Sequence, residues 1–200
     1  MAFFPLKKGQ LASLVTALEM VKQPDGALSS LRSIPEKNLS LSRWIRPSVE
    51  AYKEIFQKIG SPWLWFSRLE LEEHALLALI HHPKIEIYRV FNAEKTETIG
   101  ISELDFREKG QCEITFFGLS PDYIGQGIGN QLMGMTLEKA WQPGIRRIWL
   151  HSCSFDHPSA LSFYQRHGFK PFQRMIEIHS DPRITGLLPK EAAPHIPVIL

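Results

Sequence analysis

Residues 123 to 132 read Tyr-Ile-Gly-Gln-Gly-Ile-Gly-Asn-Gln-Leu, with glycine at every second position: Gly125, Gly127 and Gly129. An apolar run, Cys112 to Leu119, comes before them. A run with helical spacing, Leu132, Met135, Thr136 and Lys139, comes after. A strand that enters a helix through such a turn leaves backbone N–H groups at the helix start without acceptors. The helix dipole adds partial positive charge there. Glycine keeps side chains clear of an approaching anion, so the arrangement suits a phosphate. The spacing lacks the later third glycine of the dinucleotide fingerprint, and Asn130 and Gln131 stand where a Walker lysine would. Two readings are left by these residues: a plain glycine turn, or a cradle for a pyrophosphate of another kind, such as that of coenzyme A.

The surrounding pattern supplies the elements. Asn38 to Ile45 reads as a strand. A helix follows from Pro47-Ser48 to Ile59, with Val49, Tyr52, Ile55, Phe56 and Ile59 on one face and Gly60-Ser61-Pro62 as its stop. A second helix fits Glu72 to His81, ended by Pro83. Strands are expected at Ile85 to Phe91, Thr98 to Phe106 and Cys112 to Leu119, separated by polar turns. Helix Gln131 to Trp141, strand Ile145 to His151, helix Pro158 to His167 and strand Phe169 to His179 complete the order. This is α+β, with a mixed, mostly antiparallel sheet: a meander, then a parallel crossover. Leu11 to Val21 is apolar enough for a helix or a buried strand, and periodicity does not separate the two. Pro24-Asp25-Gly26 breaks it, and Pro35 marks the end of an N-terminal extension, residues 1–37. The domain is expected at 38–180. A tail, 181–200, carries Pro182, Pro189, Pro194 and Pro197 and is expected to run extended along the surface.

The composition excludes several classes. With 200 residues and 44% hydrophobic content the chain can bury one full core. A net charge of +2 gives no bulk support to a nucleic-acid or membrane partner. The start, MAFFPLKKGQ, reverses the order of a secretory signal, and no run reaches the length of a membrane span. Cys112 and Cys153 lie in strand-like surroundings and read as buried free thiols of a cytoplasmic protein. No metal spacing appears.

Two stretches carry a family resemblance. Glu113-Ile-Thr-Phe-Phe-Gly-Leu-Ser-Pro-Asp-Tyr-Ile-Gly-Gln-Gly-Ile-Gly resembles the central motif of the GNAT superfamily of N-acetyltransferases. About 40 residues on, Asp156-His-Pro-Ser-Ala-Leu-Ser-Phe-Tyr164-Gln-Arg-His-Gly168-Phe169 is similar to its Asn-x-x-Ala-x-x-x-Tyr-x-x-x-Gly-Phe motif. The element order is similar too, over roughly residues 38 to 179. Ile124 departs from the Arg/Gln position and His157 from the Asn position. A bacterial subset of GNAT proteins without a settled substrate looks similar in its Asp-His-Pro and in a segment like Asp181-Pro182-Arg183 to Leu188-Pro189. The resemblance implies a GNAT-type sheet, flanked by helices and splayed between the fourth and fifth core strands. It implies acetyl-CoA as co-substrate. Phe117, Gly118 and Leu119 would hold the pantetheine arm. Gly125, Gln126, Gly127, Ile128, Gly129 and Asn130 would hold the pyrophosphate, and His157 would contact the cofactor.

Acetyl transfer to an amine needs a base, oxyanion donors and a proton for the departing thiolate. Glu113 matches the position of the glutamate base in some GNAT enzymes. Alternation sets it with Thr115 and Phe117, opposite Cys112, Ile114 and Phe116. Glu103 and Asp105 are its substitutes, and both read as solvated. Tyr164 is the candidate general acid, and the resemblance sets its hydroxyl near the coenzyme sulfur. Asp156 reads as the cap of the helix begun by Pro158. His151 is expected to be structural or to line the cleft. Trp63, Trp65 and Phe66 fall in the loop that overlies the acceptor site in GNAT proteins, where aromatics stack on an acceptor, hold a cation or simply anchor the loop. Arg68 and Glu70 add polar choices.

The expected protein is therefore a cytoplasmic acetyl-CoA-dependent N-acetyltransferase without a metal, working by direct transfer, since neither cysteine is expected where an acetyl-enzyme would form. The acceptor is a small-molecule or protein amine. Neither nucleic acid nor membrane is a partner. The tail either covers the cleft or packs on a second subunit, which would make a homodimer. The alternatives are a non-catalytic acyl-CoA sensor on the same fold and an interaction protein that keeps the fold without the cofactor.

Overall fold

The computed structural model describes residues 3–23 and 39–200. The expected turn at Pro24-Asp25-Gly26, the boundary at Pro35 and the strand residue Asn38 lie outside the described residues.

One sheet contains seven strands: β1 (Gln10–Met20), β2 (Ser40–Arg43), β3 (Ile85–Phe91), β4 (Thr98–Asp105), β5 (Gln111–Leu119), β6 (Arg147–Cys153) and β7 (Lys170–Ser180). Their spatial order is β2-β3-β4-β5-β6-β1-β7. Only β5 and β6 run parallel. The helices are α1 (Val49–Gly60), α2 (Glu73–Ile80), α3 (Ile128–Ala140) and α4 (Ala160–Arg166). The α+β reading, the meander β3-β4-β5 and the parallel crossover through α3 all stand.

The run at Leu11 to Val21 is a strand. β1 lies between β6 and β7, antiparallel to both. Leu11, Ser13 and Val15 to Leu18 are buried. A strand covered on both faces has no reason to alternate, so its period carried no signal. The sheet thus takes in residues from the segment set apart as an extension.

α1 starts at Ser48, whose Oγ accepts from the Ala51 amide at 3.2 Å. Its apolar face, Tyr52, Phe56 and Ile59, is fully buried against one side of the sheet, with Ile87 and Ile101. α3 lays Met133 and Leu137 on the other side, over Cys112, Ile114, Ile148 and Leu150.

The tail is not extended along the surface. It turns repeatedly, and Leu188, Ala192 and Ala193 join the core beneath α1. The fixing element is a buried pair, Asp181 and Arg183, 2.7 Å apart. Arg183 Nη1 also donates to the carbonyls of Ala192, Ala193 and Ile196. Burial pushes the Asp181 carboxyl up, but the Arg183 guanidinium and amide more than offset this and hold it below its ordinary value.

β5 carries a bulge. Glu103 pairs with Phe116 and Leu104 with Ile114, which leaves Thr115 as the extra residue. Every side chain beyond it changes face. Ile114 packs with the α3 side, but Phe116 packs with the α1 side and Phe117 returns to α3. The alternation expected for Glu113, Thr115 and Phe117 therefore fails. Glu113 shares its face with Phe116, not with Phe117.

Candidate active site

β5 and β6 pair over three positions only, ending at Glu113 with Trp149. β5 runs on to Leu119 and β6 to Cys153, so the two strands part. The gap opens a cleft of about 520 Å³. One wall is the bulged half of β5, Ile114 to Leu119. The others are the α3 entry, the α4 face and the loop Trp63–Ser67.

Gly125 and Gly127 both have φ of 78°, a left-handed conformation that favours glycine. Gly127 is the residue before α3, and no side chain caps the helix there. The first amides of α3 therefore face the cleft without a protein acceptor from the cap. Gly125, Gly127, Gly129 and Asn130 line it. The Asn130 amide is turned back to the Gly127 carbonyl at 3.2 Å. Ile128 is 3% exposed and points into the core, so it can offer only its backbone. Gln126 is not among the lining residues. Its side-chain amide donates to the Asp122 carbonyl at 2.6 Å and ties the loop together. Phe117, Gly118 and Leu119 line the cleft. A Cβ at Gly118 would come within 2.8 Å of Ile59 and 2.9 Å of Trp65, so glycine is what lets the aromatic loop close on β5.

Tyr164, on α4, lines the cleft amid Phe117, Phe163 and Phe169. Burial, with the Asp156 charge nearby, pushes its phenol up, so the hydroxyl stays a proton donor at every working pH. His157 also lines the cleft. Its Nδ1 accepts from the Ser159 amide at 3.1 Å, and its ring meets Trp63 edge-on at 5.3 Å. Asp156 does not cap α4, which begins at Ala160, too far along the chain. Instead its carboxylate accepts from the Ser152 hydroxyl and the Cys153 amide, at 2.8 and 2.9 Å, and from Trp65 Nε1 at 3.5 Å. It pins the aromatic loop to the end of β6.

Three further side chains depart from expectation. Cys153 is only half-buried and lines the cleft. Burial and the Asp156 charge push its thiol up to about 11. Glu103 is not solvated: it is fully buried, 2.7 Å from the Tyr52 hydroxyl and 2.6 Å from Arg68. Asp105 is also buried, held by the Arg107 amide and guanidinium. Neither faces the cleft.

Glu113 is absent from the cleft lining. It lines a separate recess of about 400 Å³, with Asp105, Arg107, Glu108, Gln111 and Trp149. His151 does line the cleft, and its Nδ1 lies 3.4 Å from Glu113 Oε1. The cleft is also lined by Trp63, Trp65, Phe66, Glu177 and His179. Sequence reasoning missed the β7 pair and Thr115, whose hydroxyl is shut from solvent without a hydrogen-bond partner among the described residues. Their common signal is adjacency to the splay, which only strand pairing reveals.

These features fit coenzyme A. An uncapped glycine entry suits its pyrophosphate, and the splayed strand suits an extended arm. Thr115 is a buried donor left for a ligand oxygen. Among the described residues no group of three His, Cys, Asp or Glu is placed to hold a metal, and no helix is long and apolar enough to cross a membrane.

A parted parallel strand pair beside a glycine-rich helix entry defines an acyl-CoA transferase fold. The Acetyltransferase (GNAT) family model matches residues 50–169, and the chain belongs to that family, whose reaction is acyl-CoA-dependent acetyl transfer. Among solved structures, a conserved protein of unknown function from Staphylococcus epidermidis is similar, with a TM-score of 0.56 and 17% identity over 86% of this chain and 63% of that one. A GCN5-related N-acetyltransferase from Sphaerobacter thermophilus gives 0.56 and 14%, over 87% and 52%. An acetyltransferase from Thermus thermophilus gives 0.52 and 18%, over 72% and 97%. At such identities the likeness is one of fold. The chain spans about half to two thirds of the first two. No curated protein matches it in sequence.

Proposed function

We propose that the protein is an acetyl-CoA-dependent N-acetyltransferase that passes the acetyl group directly to an amine. The observation that carries this is the meeting, in one cleft, of the uncapped α3 entry, the parted strand β5 and the Tyr164 phenol. Bound acetyl-CoA would supply an activated thioester. The α3 amides and Gly125 to Gly129 would hold its pyrophosphate, and Phe117 to Leu119 its arm. Tyr164 would give a proton to the departing sulfur and recover one from the nitrogen. Direct transfer is favoured because the thiolate, not the thiol, is the nucleophile, and Cys153, with its thiol at about 11, stays protonated near neutral pH. Trp63, Trp65 and Phe66 would bound the acceptor.

The test is release of free CoA from acetyl-CoA in the presence of n-butylamine, benzylamine or lysine. Tyr164→Phe should lower turnover about a hundredfold, the low end for a general acid because a thiolate is already a fair leaving group, with acetyl-CoA affinity unchanged. No CoA release with any amine would remove the transferase reading. Full turnover in Tyr164→Phe would remove the phenol from the reaction.

A further inference from the structure

We propose that His151 is the base of this cleft, and that Glu113 is a positioning residue that fixes its tautomer. The inference rests on the transferase reading. Glu113 stands at the last paired row of β5 and β6. His151 is two residues further along β6, on the same face as Trp149, the residue paired with Glu113. It is thus the first side chain on that face beyond the point where the strands part. The imidazole lines the cleft, while the carboxylate opens into the second recess. The pair thus spans the cleft and the recess.

The ion-pair geometry assigns the roles. A carboxylate 3.4 Å from Nδ1 favours the tautomer with the proton on Nδ1. Nε2 then keeps its lone pair for a proton from an acceptor. Glu113 does not line the cleft, so the imidazole is the member of the pair that an acceptor meets. The imidazole is the more open of the two, 46% exposed against 20% for the carboxylate, so it can release a proton to solvent itself.

The proton balance needs such a route. When an ammonium is acetylated, a C–N bond forms, the thioester C–S bond breaks, and the nitrogen gives up two protons. One ends on the coenzyme sulfur through Tyr164. The other leaves on His151, whose exposed side chain can return it to solvent.

The groups facing His151 are Glu113 on β5, Asp156 in the turn after β6, and Glu177 on β7. Its β1 partner is Ala17, which is apolar. The hydrogen bond to Glu113 raises the imidazole above its ordinary 6.5. Burial opposes this, and the charges of Glu113, Asp156 and Glu177 add to the rise. A raised value favours the protonated form. The free base therefore appears at higher pH than for an ordinary imidazole, and loss of Glu113 should move that limb down.

The test is nitrogen-15 NMR of histidine-labelled full-length protein, with the acetyl-CoA thermal shift measured alongside. In the wild type, neutral His151 should carry its proton on Nδ1 and titrate above 6.5. Glu113→Gln should lower the midpoint by about one unit, as expected for loss of an adjacent opposite charge, and should mix the tautomers. The acid limb of CoA release with n-butylamine should move by the same amount. Both proteins should keep the acetyl-CoA shift, which shows that the variant folds. An Nε2–H tautomer in the wild type, or a midpoint or an acid limb that Glu113→Gln leaves in place, would overturn the proposal. Loss of the acetyl-CoA shift in the wild type itself would instead sink the transferase reading, whatever His151 does.

Discussion

Gly127→Asp should abolish acetyl-CoA binding in a protein that still folds. Residue 127 immediately precedes α3, with φ of 78°. Aspartate tolerates that conformation better than most residues, at a cost of about 1–2 kcal/mol. It also brings a carboxylate to a helix N-terminus that has no side-chain cap. There the charge gains from the dipole and can take the free amides. The variant thus satisfies with its own side chain the groups that would hold a pyrophosphate, and repels any second anion. Ligand at a hundred times its Kd should stabilise the wild type by about 2.7 kcal/mol. For a chain of this size that is on the order of 5–10 °C in Tm. The shift should vanish in Gly127→Asp at a nearly unchanged apo Tm. Gly127→Ala, which adds strain without charge, should keep a reduced shift. A full shift in Gly127→Asp would mean that the glycines form only a turn.

The place of that loop and of Tyr164 in the fold is legible because their signals are local. A strand, a glycine turn and a helix follow one another within 30 residues, and backbone sterics fix their relation. What failed was non-local. β1 could not be told from a helix, since its burial comes from β6 and β7, more than a hundred residues away. The face Glu113 shares does not follow from the sequence, because period-two alternation holds only for an unbroken ladder, and the bulge at Thr115 is a property of the β4–β5 register. Asp156 reads as a cap because Pro158 suits a first turn, yet α4 starts at Ala160, and the carboxylate is claimed by Ser152, Cys153 and Trp65. Alternation correctly sets Glu103 and Asp105 on one face. It says nothing about what covers that face, and Tyr52 and Arg68 arrive from elsewhere in the chain. For the same reason alternation alone leaves His151 either structural or lining the cleft, and the parting of β6 from β5 decides for the lining.

Arg68→Met should be among the most destabilising single changes outside the cleft. Glu103 has no solvent exposure, and its two oxygens are taken by Arg68 and the Tyr52 hydroxyl. Removing the guanidinium leaves a buried carboxylate without a counter-charge. Such a loss costs about 3–5 kcal/mol, or on the order of 6–20 °C in Tm for a chain of this length. Methionine fills much of the same volume, so the effect would come from charge more than from a cavity. The double variant Arg68→Met/Glu103→Gln removes the stranded charge while its amide can still accept from Tyr52, and it should recover most of the loss. The consequence should reach the cleft. The Arg68 guanidinium lies 4.9 Å from the centre of the Phe116 ring, and Phe116 is the first residue past the bulge that sets the splayed wall. Thermal unfolding of the single and double variants decides the point. Equal Tm values for the two would show that Glu103 does not depend on Arg68, and that the ion pair contributes no more than an exposed one, about 0–1 kcal/mol.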